Sequence, residues 1–249
     1  MSGRRRLDAE LVRRGLCASR AAAREAIEAG HVLVNGAVIM NVASQVAAGD
    51  AIVTIGPPPR FVSRGGEKLD AALDRFAIGV AGRRFLDAGA STGGFTDCLL
   101  QRGAHQVVAL DVGHGQLHER LRADERVVVL ERLNVRDAGP GDIGGRVDAV
   151  VADLSFISLR TVIPALVSMC EPGADMVLLV KPQFEAGRVE AGRGRGVITD
   201  PAVHARVREE IAAALDAAGC TVHGWIESPI RGAGGNVEFL VHATVGTGA

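Results

Sequence analysis

The sequence predicts an α/β protein: a Rossmann-like, doubly wound parallel sheet in most of the chain, with a small α+β domain ahead of it. Three observations predict this. Phe85–Phe95 reads Phe-Leu-Asp-Ala-Gly-Ala-Ser-Thr-Gly-Gly-Phe, an apolar strand that ends at an acid and breaks into a glycine turn opening a helix. Apolar runs at Val107–Asp111, Val127–Glu131, Val147–Asp153 and Met176–Val180 are spaced as repeated βα units. Ahead of Pro57-Pro58-Pro59 the pattern differs, with two short helices and a hairpin, and the proline run is a stiff hinge. Residues 1–57 therefore read as the small domain, 58–82 as a linker and leading helix, and 83–249 as the sheet domain.

Composition narrows the class. At 249 residues and 47% hydrophobic, the chain can bury a full core and should be globular. No run approaches the roughly 18–20 apolar residues of a membrane span, and none follows the N-terminal arginines, so neither anchor nor secretory leader is expected. Cys17, Cys98, Cys170 and Cys220 lie far apart with no Cys-x-x-Cys pair, which suits a reduced, cytoplasmic protein better than a zinc or disulfide framework. Net charge is only −1, yet Arg4, Arg5, Arg6, Arg13, Arg14, Arg20 and Arg24 crowd the first segment. A local basic face of that kind suits nucleic acid. Of the basic residues only Lys68 and Lys181 are lysine. A solvated surface charge could as well be arginine here, so these two are expected to lose a proton or act as compact point charges.

Taken in order, Arg6–Arg14 is a short amphipathic helix with Leu7 and Leu11 on one face. Ser19 is expected to cap a second helix, Arg20–Ala29, stopped by Gly30. Val32–Val34 and Ala37–Ile39 flank Asn35-Gly36, a strong hairpin signal, and Asp50 precedes a short strand at Ala51–Ile55. This order, with Gly-x-Val-x-Val-Asn-Gly and a following Gly-Asp, resembles the small RNA-binding module of a small-subunit ribosomal protein and several RNA-modifying enzymes. The resemblance implies that Arg4, Arg6, Arg14, Arg20 and Arg24 present their charge to RNA phosphates, which orient more than they specify.

Past the prolines, Leu69, Ala72, Leu73 and Phe76 keep helical period, which puts Lys68 in a first turn. Phe85–Asp87 opens the sheet, and Leu159–Cys170 and Pro201–Ala218 are its later helices. Val222–Glu227 and Val237–Thr244 should close the chain as an antiparallel hairpin. Ala186–Ile198, with Arg188, Arg193 and Arg195 among glycines, is either a loop that orders on RNA or a solvated linker.

The glycine spacing is not the dinucleotide Gly-x-Gly-x-x-Gly, because Ser91 holds the second position. Asp87 early and Asp111 at the end of the next strand, where an acceptor would take both ribose hydroxyls of an adenosine, together resemble the S-adenosylmethionine pocket of Rossmann-like methyltransferases. Asp153 and Lys181 end strands four and five on that same side, Glu238 begins the last strand, and Lys68 comes from the leading helix. A Lys-Asp-Lys-Glu set so placed resembles the FtsJ-type ribose 2′-O-methyltransferases. A ribose hydroxyl is a weak nucleophile at neutral pH, so its proton must leave as the methyl arrives. Two lysines held close disfavour each other's charge, which brings a neutral amine within reach. Lys181 is assigned as base and Asp153 as its orienter, with Lys68 and Glu238 positioning the hydroxyl, although the residues leave open which lysine carries the base role. The competing readings make Asp153 a helix N-cap and Glu238 an edge-strand surface charge.

The whole chain resembles the TlyA family of ribosomal RNA 2′-O-methyltransferases, through Ser-Arg-Gly-Gly-x-Lys-Leu, Asp-x-Gly-x-Ser-x-Gly-Gly-Phe and Val-Lys-Pro-Gln-Phe-Glu. That resemblance implies cytidine ribose methylation in small-subunit rRNA, large-subunit rRNA or both, within assembled subunits, and sensitivity to tuberactinomycin-type antibiotics. It carries over Lys68, Asp153, Lys181 and Glu238 as catalytic, and Asp87, Gly89, Ser91, Gly93 and Asp111 around the cofactor. Phe95 and Asn134 are carried over more weakly, beside its methionine and adenine portions. The family has also been called haemolysin. A pore-forming cytolysin would want an export signal or a membrane-inserting hairpin, and a non-catalytic RNA-binding protein would have no use for paired lysines and acids. A pseudouridine synthase would not need the glycine turn followed by Asp111, and a dehydrogenase would want glycine at Ser91. His114 and His118 stand at i, i+4, but no third metal ligand accompanies them, so no metal is expected.

Overall fold

The computed structural model describes residues 4–17, 20–55, 59–187 and 196–247. Ser19, Pro57, Pro58, Arg188, Arg193 and Arg195 lie outside the described residues. The chain divides into two compact units, with the boundary between Pro59 and Arg60.

The small unit runs β1 (Arg5–Arg6), α1 (Leu7–Arg13), α2 (Arg20–Glu28), β2 (Val32–Val34), β3 (Ala37–Val38), β4 (Gln45–Val46) and β5 (Ile52–Thr54). Leu7 and Leu11 from α1 and Ala23 and Ile27 from α2 close over Val32, Val46 and Ile52. Asn35 and Gly36 take φ 50° and 83°, the left-handed pair that matches the twist of a two-residue hairpin. Asn35 Nδ2 donates to Asp50 Oδ1 at 3.0 Å, and Ala51 N donates to Asn35 Oδ1 at 2.9 Å, so the turn and the Gly-Asp pair hold each other. The β1–β4 pairing was not legible beforehand, because two residues a side carry no period.

Two carboxylates are buried on α1. Hydrogen bonds from Arg6, with help from Arg20, hold Asp8 down at about 2. Arg13 and then Arg14 do the same for Glu10, also at about 2.

The large unit runs α3 (Gly65–Phe76), β6 (Arg84–Ala88), α4 (Gly94–Gln101), β7 (Gln106–Asp111), α5 (Glu119–Arg122), β8 (Val127–Glu131), β9 (Val147–Ala152) and α6 (Leu159–Ser168). It continues through β10 (Cys170–Val180), α7 (Pro182–Glu185), α8 (Pro201–Ala217), β11 (Cys220–Glu227) and β12 (Phe239–Val245). The seven strands lie in the order β11-β12-β10-β9-β6-β7-β8. β10, β9, β6, β7 and β8 are parallel, and β12 runs antiparallel to both its neighbours. Along β9, Val147, Val150 and Ala152 face one apolar layer, shared with α6 and α8. Ala149 and Val151 face the other, shared with α3 and α4. Burial on both faces is why the strand reads as one apolar run.

The closing strands pair antiparallel as expected, with β12 between β11 and β10. One expectation changes: the helix expected through Cys170 ends at Ser168, and β10, expected from Met176, starts at Cys170 with an irregularity between Cys170 and Asp175.

Candidate active site

The sheet reverses its order at β6, with β7 on one side and β9 on the other. In such folds ligands lie beyond the carboxyl ends of the strands at that point. The glycine turn sits there. Gly89 takes φ 84°, and a Cβ on it would lie 2.6 Å from the Asp153 carbonyl oxygen; Gly93 takes φ 97°, with a Cβ 2.2 Å from Leu121 Cδ1. Neither position admits a side chain. Ser91, between them, is itself left-handed at φ 48°. Its N–H donates to Asp111 Oδ2 at 2.8 Å, and Gly113 N donates to Asp111 Oδ1 at 2.6 Å, so the acid ending β7 is oriented by backbone on both oxygens.

Asp87 lies beneath this turn with no exposure. Thr96 Oγ1 donates to its Oδ2 at 2.6 Å, whereas Oδ1 has no partner. Burial pushes this carboxyl up to about 7.

The four carried-over catalytic residues form two ion pairs. Lys68, in the first turn of α3, places Nζ 2.6 Å from Glu238 Oε2, and both are buried. Lys181, just past β10, places Nζ 2.5 Å from Asp153 Oδ1 and donates to Ser155 Oγ at 3.0 Å. Val180 pairs with Phe239 across the β10–β12 ladder, so Lys181 follows the end of one strand and Glu238 precedes the start of the other. Asp153 N donates to the Ala88 carbonyl at 3.0 Å, which ties its strand end to the glycine turn. Neither competing reading of the acids survives: Ser158, not Asp153, caps α6, and Glu238 is 2% exposed. A Cβ at Gly232 would lie 2.0 Å from Glu238 Oε1, so glycine there leaves room for the carboxylate.

Other candidates take structural places. The Phe95 side chain is buried in the apolar layer with Phe61, Leu69 and Leu99, so it packs α4 and lines no open surface. Asn134 Oδ1 accepts from Arg136 N at 3.0 Å and caps a single helical turn. Arg14 is a correction: it donates to Glu10 at 2.7 Å and to the carbonyls of Asp50 and Ala48 at 2.7 and 3.0 Å, clamping α1 to the loop before β5. Arg6 and Arg20 share Asp8 while staying about half exposed, and Arg4 and Arg24 are exposed. His118 caps α5, and His114 Nδ1 lies 2.6 Å from Glu131 Oε2, so the i, i+4 pair makes two unrelated contacts.

Three residues near the site were missed. Phe156 is 91% exposed at φ 65°, its ring tilted against Phe184 at 5.2 Å. An exposed aromatic in a left-handed conformation at a strand end is unusual enough to signal use. The one sequence sign was its place directly after Asp153-Leu154-Ser155 in a chain with 7 Phe. Ser155 had no sign at all. Glu185 ends the Lys-Pro-Gln-Phe-Glu motif and accepts from Ser158 Oγ at 2.5 Å and Leu159 N at 2.8 Å, at the start of α6. Burial raises its carboxyl above the ordinary range.

Known proteins resemble the chain on this same frame. The FtsJ-like methyltransferase family matches residues 61–245, and the S4 domain family matches residues 5–52. The 16S/23S rRNA (cytidine-2′-O)-methyltransferase TlyA of Mycobacterium tuberculosis is 54% identical over 97% of this chain and 90% of its own. Hemolysin A of Brachyspira hyodysenteriae is 41% identical over 95% of this chain and 98% of its own. A solved structure described as a candidate hemolysin from Streptococcus thermophilus superposes at TM-score 0.79 and 39% identity, covering 99% of this chain and 90% of that one.

Proposed function

The chain belongs to the TlyA family, FtsJ-like methyltransferases with an N-terminal S4 domain, and on that premise we propose that it methylates the ribose 2′-hydroxyl of cytidine in ribosomal RNA. The proposed methyl donor is S-adenosylmethionine. The proposed substrate is the RNA of small subunits, large subunits or both, in the cytoplasm. One observation carries the reading: two lysine–carboxylate pairs, Lys68–Glu238 and Lys181–Asp153, stand at strand and helix ends of the sheet unit whose glycine turn is crowded at Gly89 by the Asp153 carbonyl.

The residues fit the cofactor. Gly89 and Gly93 leave a cradle that a Cβ would fill, Asp111 is held by backbone at the ribose position, and Asp87 keeps one oxygen without a partner under the turn. Gly89, Ser91 and Gly93 would hold the methionine end and Asp111 the ribose hydroxyls. When bound, the sulfonium supplies an already activated methyl group. The chain's own work is then to orient the hydroxyl, take its proton and steady the developing charge on oxygen. Lys181 takes the proton, with Asp153 holding its amine. Lys68, kept in place by Glu238, presents its positive charge to the hydroxyl oxygen. Phe156 offers an open ring face on which the target base can stack once lifted from its neighbours. The arginines of the small unit would hold the RNA backbone. The hemolysin-named relatives fall within the same fold, and no described helix is long and apolar enough to cross a membrane.

The test is transfer of labelled methyl from S-adenosylmethionine to purified subunits, beside Lys181→Ala. Ribose-borne label that falls at least about a hundredfold in the variant, with cofactor still bound, is the expected result. Absence of cofactor binding by the unaltered protein would overturn the proposal.

A further inference from the structure

Lys181 carries its amine on a flexible four-carbon stem, and one ion pair leaves such a head free to swing. Here Asp153 Oδ1 lies 2.5 Å away as an ion pair without a hydrogen bond, and Ser155 Oγ accepts the hydrogen bond of the head at 3.0 Å. The loop that carries Ser155 is tied at several points. It begins at Asp153, whose N–H is bonded to Ala88, and turns through Phe156, packed on Phe184. It ends at Ser158 and Leu159, both bonded to Glu185. The Asp153–Ser158 loop thus touches the Lys181–Glu185 turn at Phe156–Phe184 and at Ser158–Glu185, besides the contacts of Lys181 itself.

We propose that Ser155 is a positioning residue for Lys181: its hydroxyl accepts an N–H of the amine while the Asp153 carboxylate lies alongside, and together they turn the lone pair of the neutral amine toward the ribose hydroxyl. This rests on the reading of Lys181 as base. In the step, the hydroxyl O–H bond breaks and an N–H bond forms on Lys181, giving the ammonium. The oxygen gains the methyl carbon as the sulfonium C–S bond breaks, and the donor leaves as a neutral thioether. In the resulting ammonium all three hydrogens are donors, and Ser155 accepts one of them. The charged group that the structure places against Lys181 is Asp153.

The chain has only two lysines, so lysine labelled with carbon-13 at Cε yields two side-chain signals. Lys181 is assigned by its loss in Lys181→Arg. In the full-length protein, Ser155→Ala should shift the Lys181 Cε signal at fixed pH and leave that of Lys68 in place, whereas Ser155→Thr should restore it. With subunits as substrate, Ser155→Ala should lower kcat about tenfold at unchanged KM, and Ser155→Thr should recover it. An unmoved Lys181 signal, or a kcat equal to that of the unaltered chain, overturns the proposal. If the unaltered chain transfers no methyl, the parent reading fails while the Lys181 signal still decides for or against Ser155.

Discussion

Asp87 is a carboxyl without exposure, bonded to Thr96 on one oxygen and to nothing on the other. Its folded value of about 7 stands above the ordinary value of 3.8, because burial penalises the charge. Between those values the folded chain holds a proton that the unfolded chain has released. Stability from this group is therefore full at low pH and falls as pH rises through that window. Asp87→Asn should flatten this limb, seen as urea midpoints that change less between pH 5 and 7.5 than those of the unaltered protein. A steeper limb in the variant would contradict the assignment. The strand-end position of Asp87 was legible as an acid before a glycine turn; its complete burial was not, since that depends on α4 bringing Thr96 over it. Lys68 and Lys181 stood out for the opposite reason, a composition that otherwise uses arginine.

Among the elements, the glycine turn is where local sequence and tertiary contact agree most closely. Gly89 needs its left-handed φ and also has the Asp153 carbonyl 2.6 Å from any Cβ, whereas Gly115, at φ 68°, has nothing within 4 Å. Gly115→Ala should then cost only backbone strain, about 1 kcal/mol. Gly89→Ala should cost about 2 kcal/mol or more and reduce S-adenosylmethionine affinity at least about tenfold, because its carbonyl neighbour must move. Urea denaturation and titration calorimetry on both variants check this, and equal effects would sink it. The Lys-Pro-Gln-Phe-Glu motif shows what an element hides from the sequence. Its first residue reaches the site while its last caps α6, a helix that begins 22 residues earlier at Leu159 if counted back from Lys181.

For the whole molecule, near-neutral net charge conceals an arginine-rich small unit. Those arginines divide into two groups. Arg14 is spent on α1 and the loop before β5, at 21% side-chain exposure, while Arg24 on α2 is exposed. Arg24→Ala should therefore reduce the salt dependence of RNA binding, with the log–log slope falling by just under one, and leave stability within about 0.5 kcal/mol. Arg14→Ala should lower the melting temperature of the small unit with little change in that slope. Binding isotherms across salt concentration, with thermal melts, separate the two; an unchanged slope for Arg24→Ala would remove it from the RNA face.

By itself the sequence determined the α/β class and the glycine turn, and it singled out Lys68 and Lys181; Asp153 and Glu238 came from the resemblance to FtsJ-type enzymes. The first three are written in local signals: apolar period, φ requirements, and a residue type that composition makes rare. Only the tertiary structure decided that β12 enters between β11 and β10, and that Glu238, just ahead of it, lies within 2.6 Å of Lys68, 170 residues away. It alone assigned Arg14 to clamping, Phe95 to the core, and Ser155 to the lysine. Such roles depend on which distant segments become neighbours, and pairing between strands is settled by the burial of two whole apolar layers, which no short stretch of sequence encodes.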